Sequence, residues 1–164
     1  MTVRGEGTEI IRGVKPQEVC DFVLDPGQYI KADTKIIWVT KIADTPDGMI
    51  AREEGTFLGQ KWLRGEVITR YVWDPPYRID VTLVSGFPKA LHAWFEIEEA
   101  VDGTKIHHVE ELDIGHGPLG ALHDRIAGSW FASSVKQEVK EIKRLMEAGE
   151  RGIGVEGDKN RPKR

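Results

Sequence analysis

A histidine and a glutamate two residues apart, on a strand face that is otherwise apolar, are the groups of this chain best placed to do chemistry. They are His108 and Glu110, in the segment 105–114 that reads K-I-H-H-V-E-E-L-D-I. Side chains alternate across a strand, so Ile106, His108, Glu110, Leu112 and Ile114 share one face while His107, Val109, Glu111 and Asp113 share the other. Ile106, Leu112 and Ile114 mark the first face as the one that seeks the core. A buried carboxylate without a partner is costly, so that face needs water, a partner or a ligand, and the pattern predicts a cavity. In such a cavity a carboxyl has its pKa raised and a neighbouring imidazole can share its proton. The pair would then polarise a carbonyl or move a proton in an aldol-type cyclisation or dehydration. The plainer alternative is a mutually satisfied polar pair, bonded to Arg52, Tyr71 or a buried water.

Other reactive residue types are less well placed. His107 and His108 are adjacent on a strand and diverge, so they cannot face one ion. His92 falls on the outer face, His116 in a loop and His123 on the last helix. No spacing matches a zinc pattern, so neither a metal nor another cofactor is expected. Arg52 and Glu54 share one side of their strand with Ile50 and read as a solvated edge. Ser129 and Ser133 have no base positioned to activate them. The G-x-G spacings near Gly5 and Gly115 lack the strand-to-helix context of a dinucleotide site.

The elements that must position the pair follow from turn chemistry and periodicity. Asp102-Gly103 predicts a two-residue type I′ hairpin in which Val101 pairs with Thr104. Ile97 then lies opposite His108, Phe95 opposite Glu110, Ala93 opposite Leu112 and Leu91 opposite Ile114, with Glu98 against His107 outside. Upstream, a strand over 2–12 precedes a helix opened by Pro16, and Asp25-Pro26-Gly27 breaks that helix before a short turn over 28–31. Strands over 36–43, 49–57, 62–73 and 77–84 are separated by Pro- and Gly-containing turns. Together with the hairpin they make about six strands after the helices. Pro118 suits the first turn of a long helix whose apolar stripe runs Leu119, Leu122, Ile126, Trp130, then Phe131, Val135, Val139, Ile142 and Met146, ending at Gly149. One sheet face must be buried against that helix, which makes an α+β architecture with a curved antiparallel sheet. Residues 1–149 form one domain, and 150–164 read as a charged, disordered tail.

Composition narrows the class. A chain of 164 residues, 40% hydrophobic and 30% charged, suits a soluble domain with a real core. A formal net charge of −4 and no clustered basic face before the tail exclude nucleic acid as an expected partner. No segment is apolar enough to span a bilayer. One cysteine, Cys20, excludes an internal disulfide, and no apolar leader follows Met1, so a cytoplasmic location is expected.

Several segments, in order, carry a family resemblance: K-P-Q-E-V at 15–19 with D-P-G-Q-Y at 25–29, then W-D-P-P-Y-R-I at 73–79, D-G-T-K-I at 102–106 and G-P-L-G at 117–120. In this order and spacing the chain resembles the polyketide cyclase/dehydrase branch of the START-like, or Bet v 1-like (SRPBCC), superfamily. That resemblance implies a helix-grip fold enclosing a hydrophobic pocket for lipids, polyketides or other small apolar molecules. His108 and Glu110 depart from it, standing where members commonly carry apolar or aromatic residues.

The expected function is binding of a small hydrophobic ligand in an internal cavity, as carrier or sensor. Its walls should come from Leu83, Leu91, Phe95, Ile97, Leu112, Leu122, Ile126 and Trp130, with His108 and Glu110 orienting the ligand. The alternatives are a cyclase or dehydratase using Glu110 and His108 as an acid/base pair, or a protein-interaction module with an incidental cavity. Gly86-Phe87-Pro88 and Gly115-His116-Gly117 are the loops expected to gate entry. The sequence leaves ligand identity and oligomeric state open.

Overall fold

Alternation of small and apolar residues on one side of the first strand explains how the whole molecule is laid out. The computed structural model describes residues 2–57, 60–113, 115 and 120–152 and, among these, all side chains except those of 57, 60–63 and 120–124. Strand β1 (Thr2–Arg12) is followed by helices α1 (Pro16–Leu24) and α2 (Pro26–Ala32). Strands β2 (Ile36–Thr45), β3 (Gly48–Phe57), β4 (Gln60–Asp74), β5 (Arg78–Gly86), β6 (Ala90–Ala100) and β7 (Gly103–Asp113) come next, and helix α3 (Gly120–Glu147) closes the fold. The strands form one antiparallel sheet in the order β1-β7-β6-β5-β4-β3-β2, so the chain returns its last strand to pair with its first. This is the expected α+β helix-grip arrangement.

Two local expectations need correction. Helix α2 starts at Pro26 and not at Gln28, because the Asp25 carboxylate accepts from Gly27 N at 2.8 Å and caps a helix whose first residue is proline. The β6–β7 hairpin turns at Val101-Asp102, and its register is displaced by two residues. Phe95 pairs with His108, Ala93 with Glu110 and Leu91 with Leu112. Gly103 belongs to the strand: a Cβ there would lie 2.0 Å from Ile11 O of β1, so its missing side chain serves the approach of β1. A displacement of two keeps every side chain on its expected face. On the outer face, Glu98 consequently meets Lys105 at 2.9 Å and Glu96 meets His107 at 3.0 Å.

The buried positions of β1 are Val3, Gly5, Gly7 and Ile11. A Cβ on Gly5 would lie 2.6 Å from Val135 Cγ2, and one on Gly7 would lie 3.0 Å from Val139 Cγ2. The two glycines therefore let α3 settle against the β1 backbone. Its buried stripe runs through Ala127, Phe131, Val135, Glu138, Val139, Ile142 and Met146. With α3 drawn towards the β1–β7 edge, the curled middle of the sheet is left partly uncovered, and the space beneath it opens there. Ile11, Val19, Phe22, Ile97, Ile106 and Ile142 belong to the main buried core, which is continuous with the cavity-lining Phe95, Ala93 and Val81.

Gly149 ends the helix with φ +98, where a glycine costs least. Pro118, expected at the first turn of α3, lies outside the described residues. Of the expected tail, Glu150 pairs with Lys31 at 3.0 Å and Arg151 with Glu18 at 2.9 Å; residues 153–164 lie outside the described part. Among the described residues no helix is long and apolar enough to cross a membrane.

Candidate functional site

His108 stands on β7 between Gly7 of β1 and Phe95 of β6. Its ring stacks flat on Phe95, with centroids 3.8 Å apart and planes 3° from parallel. Nδ1 lies 3.0 Å from Trp94 O. A carbonyl only accepts, so Nδ1 carries the hydrogen and Nε2 presents a lone pair. That lone pair points to Glu138 Oε1 at 3.4 Å and Glu110 Oε2 at 4.0 Å. Burial, helped by the Lys35 charge, lowers His108 to about 3, so the imidazole is neutral at physiological pH.

Lys35 is the hub of the site. It follows the α2 C-cap Asp33 by two residues, just before β2, and its ammonium lies 2.6 Å from Glu138 Oε2, 3.1 Å from Asp33 Oδ1 and 3.3 Å from Glu110 Oε2. Burial works against its charge, but the three carboxyls prevail and hold its pKa well above the usual lysine value. Asp33 is itself fixed by accepting from Lys35 N at 2.7 Å. Glu138 also accepts from Tyr29 OH at 2.6 Å, while Glu53 accepts from Thr69 Oγ1 at 2.6 Å and Tyr71 OH at 2.7 Å through the same oxygen. Burial pushes Glu110 up to about 7 against the pull of Lys35, and Asp33 and Glu138 add to the rise. Asp33 and Glu53 are raised as well, again chiefly by burial. Three carboxyl groups thus meet one ammonium, and a fourth, that of Glu53, is held nearby by Thr69 and Tyr71.

Asp33, Lys35, Glu53, Tyr71, His108 and Glu110 of this cluster line the buried end of a cavity of about 430 Å³, within the range of small-molecule sites, with Glu138 behind them. The remaining wall is apolar, from Val81, Leu91, Ala93, Phe95, Leu112 and Phe131. Phe87, 56% exposed, stands on its rim with Pro88, Arg64 and Trp130, which places the first of the two expected gating loops at the opening. The second, at 115–117, lies largely outside the described residues.

Of the residues singled out in the sequence, His108, Glu110, Leu91, Phe95, Leu112 and Trp130 line this space. Three expected wall residues do not. Ile126 is 54% exposed, because the buried stripe of α3 runs back from Phe131 to Ala127 and turns Ile126 outward. Ile97 is buried in the main core and does not line the cavity. Leu83 pairs with Thr69 beyond Thr82–His92, the last β5–β6 pair, and is not among the residues that line the cavity. The side chain of Leu122 lies outside the described part. Arg52 and Glu54 stay on the outer side, near Glu66 and Arg64 at 3.6 Å, and Trp94 lies outside between Arg4 and Arg78. Tyr71 does reach the cluster, through Glu53 and not Glu110.

Sequence reasoning missed Lys35, Asp33, Glu53 and Glu138. Two had a signal. Glu53 shares the parity of Met49 and Ala51, both buried. Glu138 sits on the three-four spacing Phe131, Val135, Glu138, Ile142, Leu145, a polar residue in an apolar stripe. Lys35 and Asp33 lie between a helix and a strand, where no periodicity exists to reveal which way they face.

His108, Glu110 and Glu138 bring one potential metal-ligating atom each to within 4.8 Å of one another. The ammonium of Lys35 already bridges both carboxylates, so a metal ion would have to displace a buried cation to reach them.

No protein-family model and no curated protein sequence matches the chain. Solved structures do match. A protein from Thermus thermophilus superposes with a TM-score of 0.75 at 14% identity, covering 92% of this chain and 100% of that one. A START superfamily protein from Mycobacterium smegmatis gives 0.65 at 17%, over 88% and 98% of the two chains. The Streptomyces aromatase/cyclase Zhui gives 0.65 at 11%, over 93% and 100%. At such identities the likeness is one of fold, and the fold is the one shared by that START superfamily protein and that aromatase/cyclase.

Proposed function

We propose that this START-like fold serves to bind a small, mainly apolar molecule in the cavity between the curled sheet and α3, as a carrier or sensor. The observation that carries the reading is the 430 Å³ cavity itself, apolar along its length and polar at its inner end. A chain under no demand to hold a ligand fills such a space with side chains, since each unfilled volume the size of a methyl group costs on the order of 1 kcal/mol. Here Gly5, Gly7 and Ala93 keep the interior open or shift the helix away from it. His108 and Glu110 would orient the polar end of the ligand, with Leu91, Phe95, Leu112 and Trp130 enclosing its body. A cytoplasmic location goes with this reading.

One observation favours a second reading. Glu110, raised to about 7 beside the neutral His108, is poised to exchange a proton near physiological pH, as an acid/base in a cyclisation or dehydration would be. Native mass spectrometry of the protein taken from its own host tests the first reading. A retained small molecule is expected; a bare chain that also takes up no apolar probe would sink it. Glu110→Gln separates the two readings, since a carrier keeps binding with altered affinity whereas an enzyme binds the same molecule without converting it.

A further inference from the structure

The hydrogen-bonding inventory of the inner end is one-sided. Every donor there is committed. Lys35 spends its ammonium on Glu138, Asp33 and Glu110; Tyr29 OH donates to Glu138; Tyr71 OH and Thr69 Oγ1 both donate to Glu53. His108 spends its N–H on Trp94 O. What remains is acceptors. Glu53 receives both its bonds on Oε1, and Lys35 and His108 both approach Glu110 at Oε2. Those contacts leave Glu53 Oε2 and Glu110 Oε1 over, and among the described residues His108 Nε2, on a side chain 1% exposed, has no hydrogen-bond partner. These acceptors sit among four carboxyl groups and a single compensating cation.

We propose that the inner end of the cavity is a subsite for a cationic hydrogen-bond donor, a protonated amine carried on an apolar body, received by Glu53 and Glu110. The inference rests on the cavity-binding reading and adds the class of ligand to it. An ammonium supplies the charge and the donors that this end lacks, and charge-assisted bonds to carboxylates are the strong ones. A ketone or a carboxylate would find each of these donors already engaged, and a carboxylate would add a like charge to the carboxyl cluster. A neutral hydroxyl would satisfy one acceptor and leave the charge excess in place.

The test uses four probes with one ring system and different heads: naphthylmethylamine, naphthylmethanol, ethylnaphthalene and naphthoate. Affinities are measured by calorimetry on the full chain at pH 8, above the value of about 7 at which Glu110 titrates. The amine is expected to bind at least about tenfold tighter than ethylnaphthalene, with the alcohol between them and naphthoate weakest. Glu53→Gln and Glu110→Gln should each cut the amine-to-ethyl ratio to about threefold or less, and two variants guard against one failing to fold. An amine no tighter than ethylnaphthalene, or no tighter than the alcohol, overturns the proposal and leaves the cavity reading standing. Failure of ethylnaphthalene and every other probe to bind overturns both.

Discussion

Replacing Glu110 by glutamine should stabilise the protein, and by an amount that depends on pH in a defined way. The carboxyl titrates near 4.5 in an unfolded chain and at about 7 in the folded one, so between those values the folded state holds a proton that the unfolded state has released. Stability therefore falls as pH rises through this window. At about 1.4 kcal/mol per pH unit the cost approaches about 3 kcal/mol above pH 7. His108 acts in the opposite direction: its drop from 6.5 to about 3 means that stability falls as pH descends below 6.5. From pH 4.5 to 6.5 the two contributions cancel, and in effect folding hands a proton from the imidazole to the carboxyl. Glutamine keeps the shape of the neutral carboxyl and removes only its contribution, while Lys35 retains Asp33 and Glu138. The groups facing position 110, namely His108 from β7, Glu138 from α3, and Asp33 and Lys35 from the α2–β2 connection, are common to both proteins. They cancel largely in the difference. Urea unfolding of wild type and Glu110→Gln at steps from pH 4.5 to 8.5 should show the variant more stable by about 2–3 kcal/mol at pH 8 and level with wild type at pH 4.5. In a domain of this size that corresponds to roughly 4–12 °C in Tm at the alkaline end. A difference that stays constant across the range would refute the assignment of a raised, buried carboxyl to position 110.

Three further outcomes are expected. Lys35→Met leaves Asp33, Glu110 and Glu138 without their shared cation and should destabilise by about 3–5 kcal/mol, read by urea unfolding at pH 7. Gly5→Ala drives a methyl group into Val135 and should lower stability by about 1–3 kcal/mol, with Val135→Ala recovering part of it; an unchanged midpoint would contradict the close approach of α3 to β1. Ala93→Phe projects a ring into the cavity and should abolish uptake of an apolar fluorescent probe while the far-ultraviolet spectrum and cooperative unfolding persist.

The course of α3 shows how far one-dimensional pattern carries. From Phe131 onward the buried face follows the apolar stripe, because that half of the helix lies against β1 and every turn meets a wall. Before Phe131 the pattern offers two faces, Ile126-Trp130 and Ala127-Phe131, and hydrophobicity favours the larger residues. The fold chooses the smaller ones and leaves Ile126 exposed, since the wall at that level is Val3 and Leu112, to which Phe131 packs. The hairpin gives a similar lesson. Asp102-Gly103 has the chemistry of a turn, but the glycine is needed where β1 passes within reach of its absent side chain, and that strand is about a hundred residues away in the chain.

The sequence by itself determined the element order, the sheet's inward and outward faces, and the placement of an imidazole and a carboxyl on the buried one. Alternation and turn chemistry are local, and even a two-residue slip in register preserves them. Only the tertiary structure decided what those two groups face. Lys35 and Asp33, Glu53, and Glu138 come from three separate segments, and they converge because two glycines on β1 let the last helix approach. Charge compensation in a buried site depends on distances across the fold, and spacing along the chain carries no record of them.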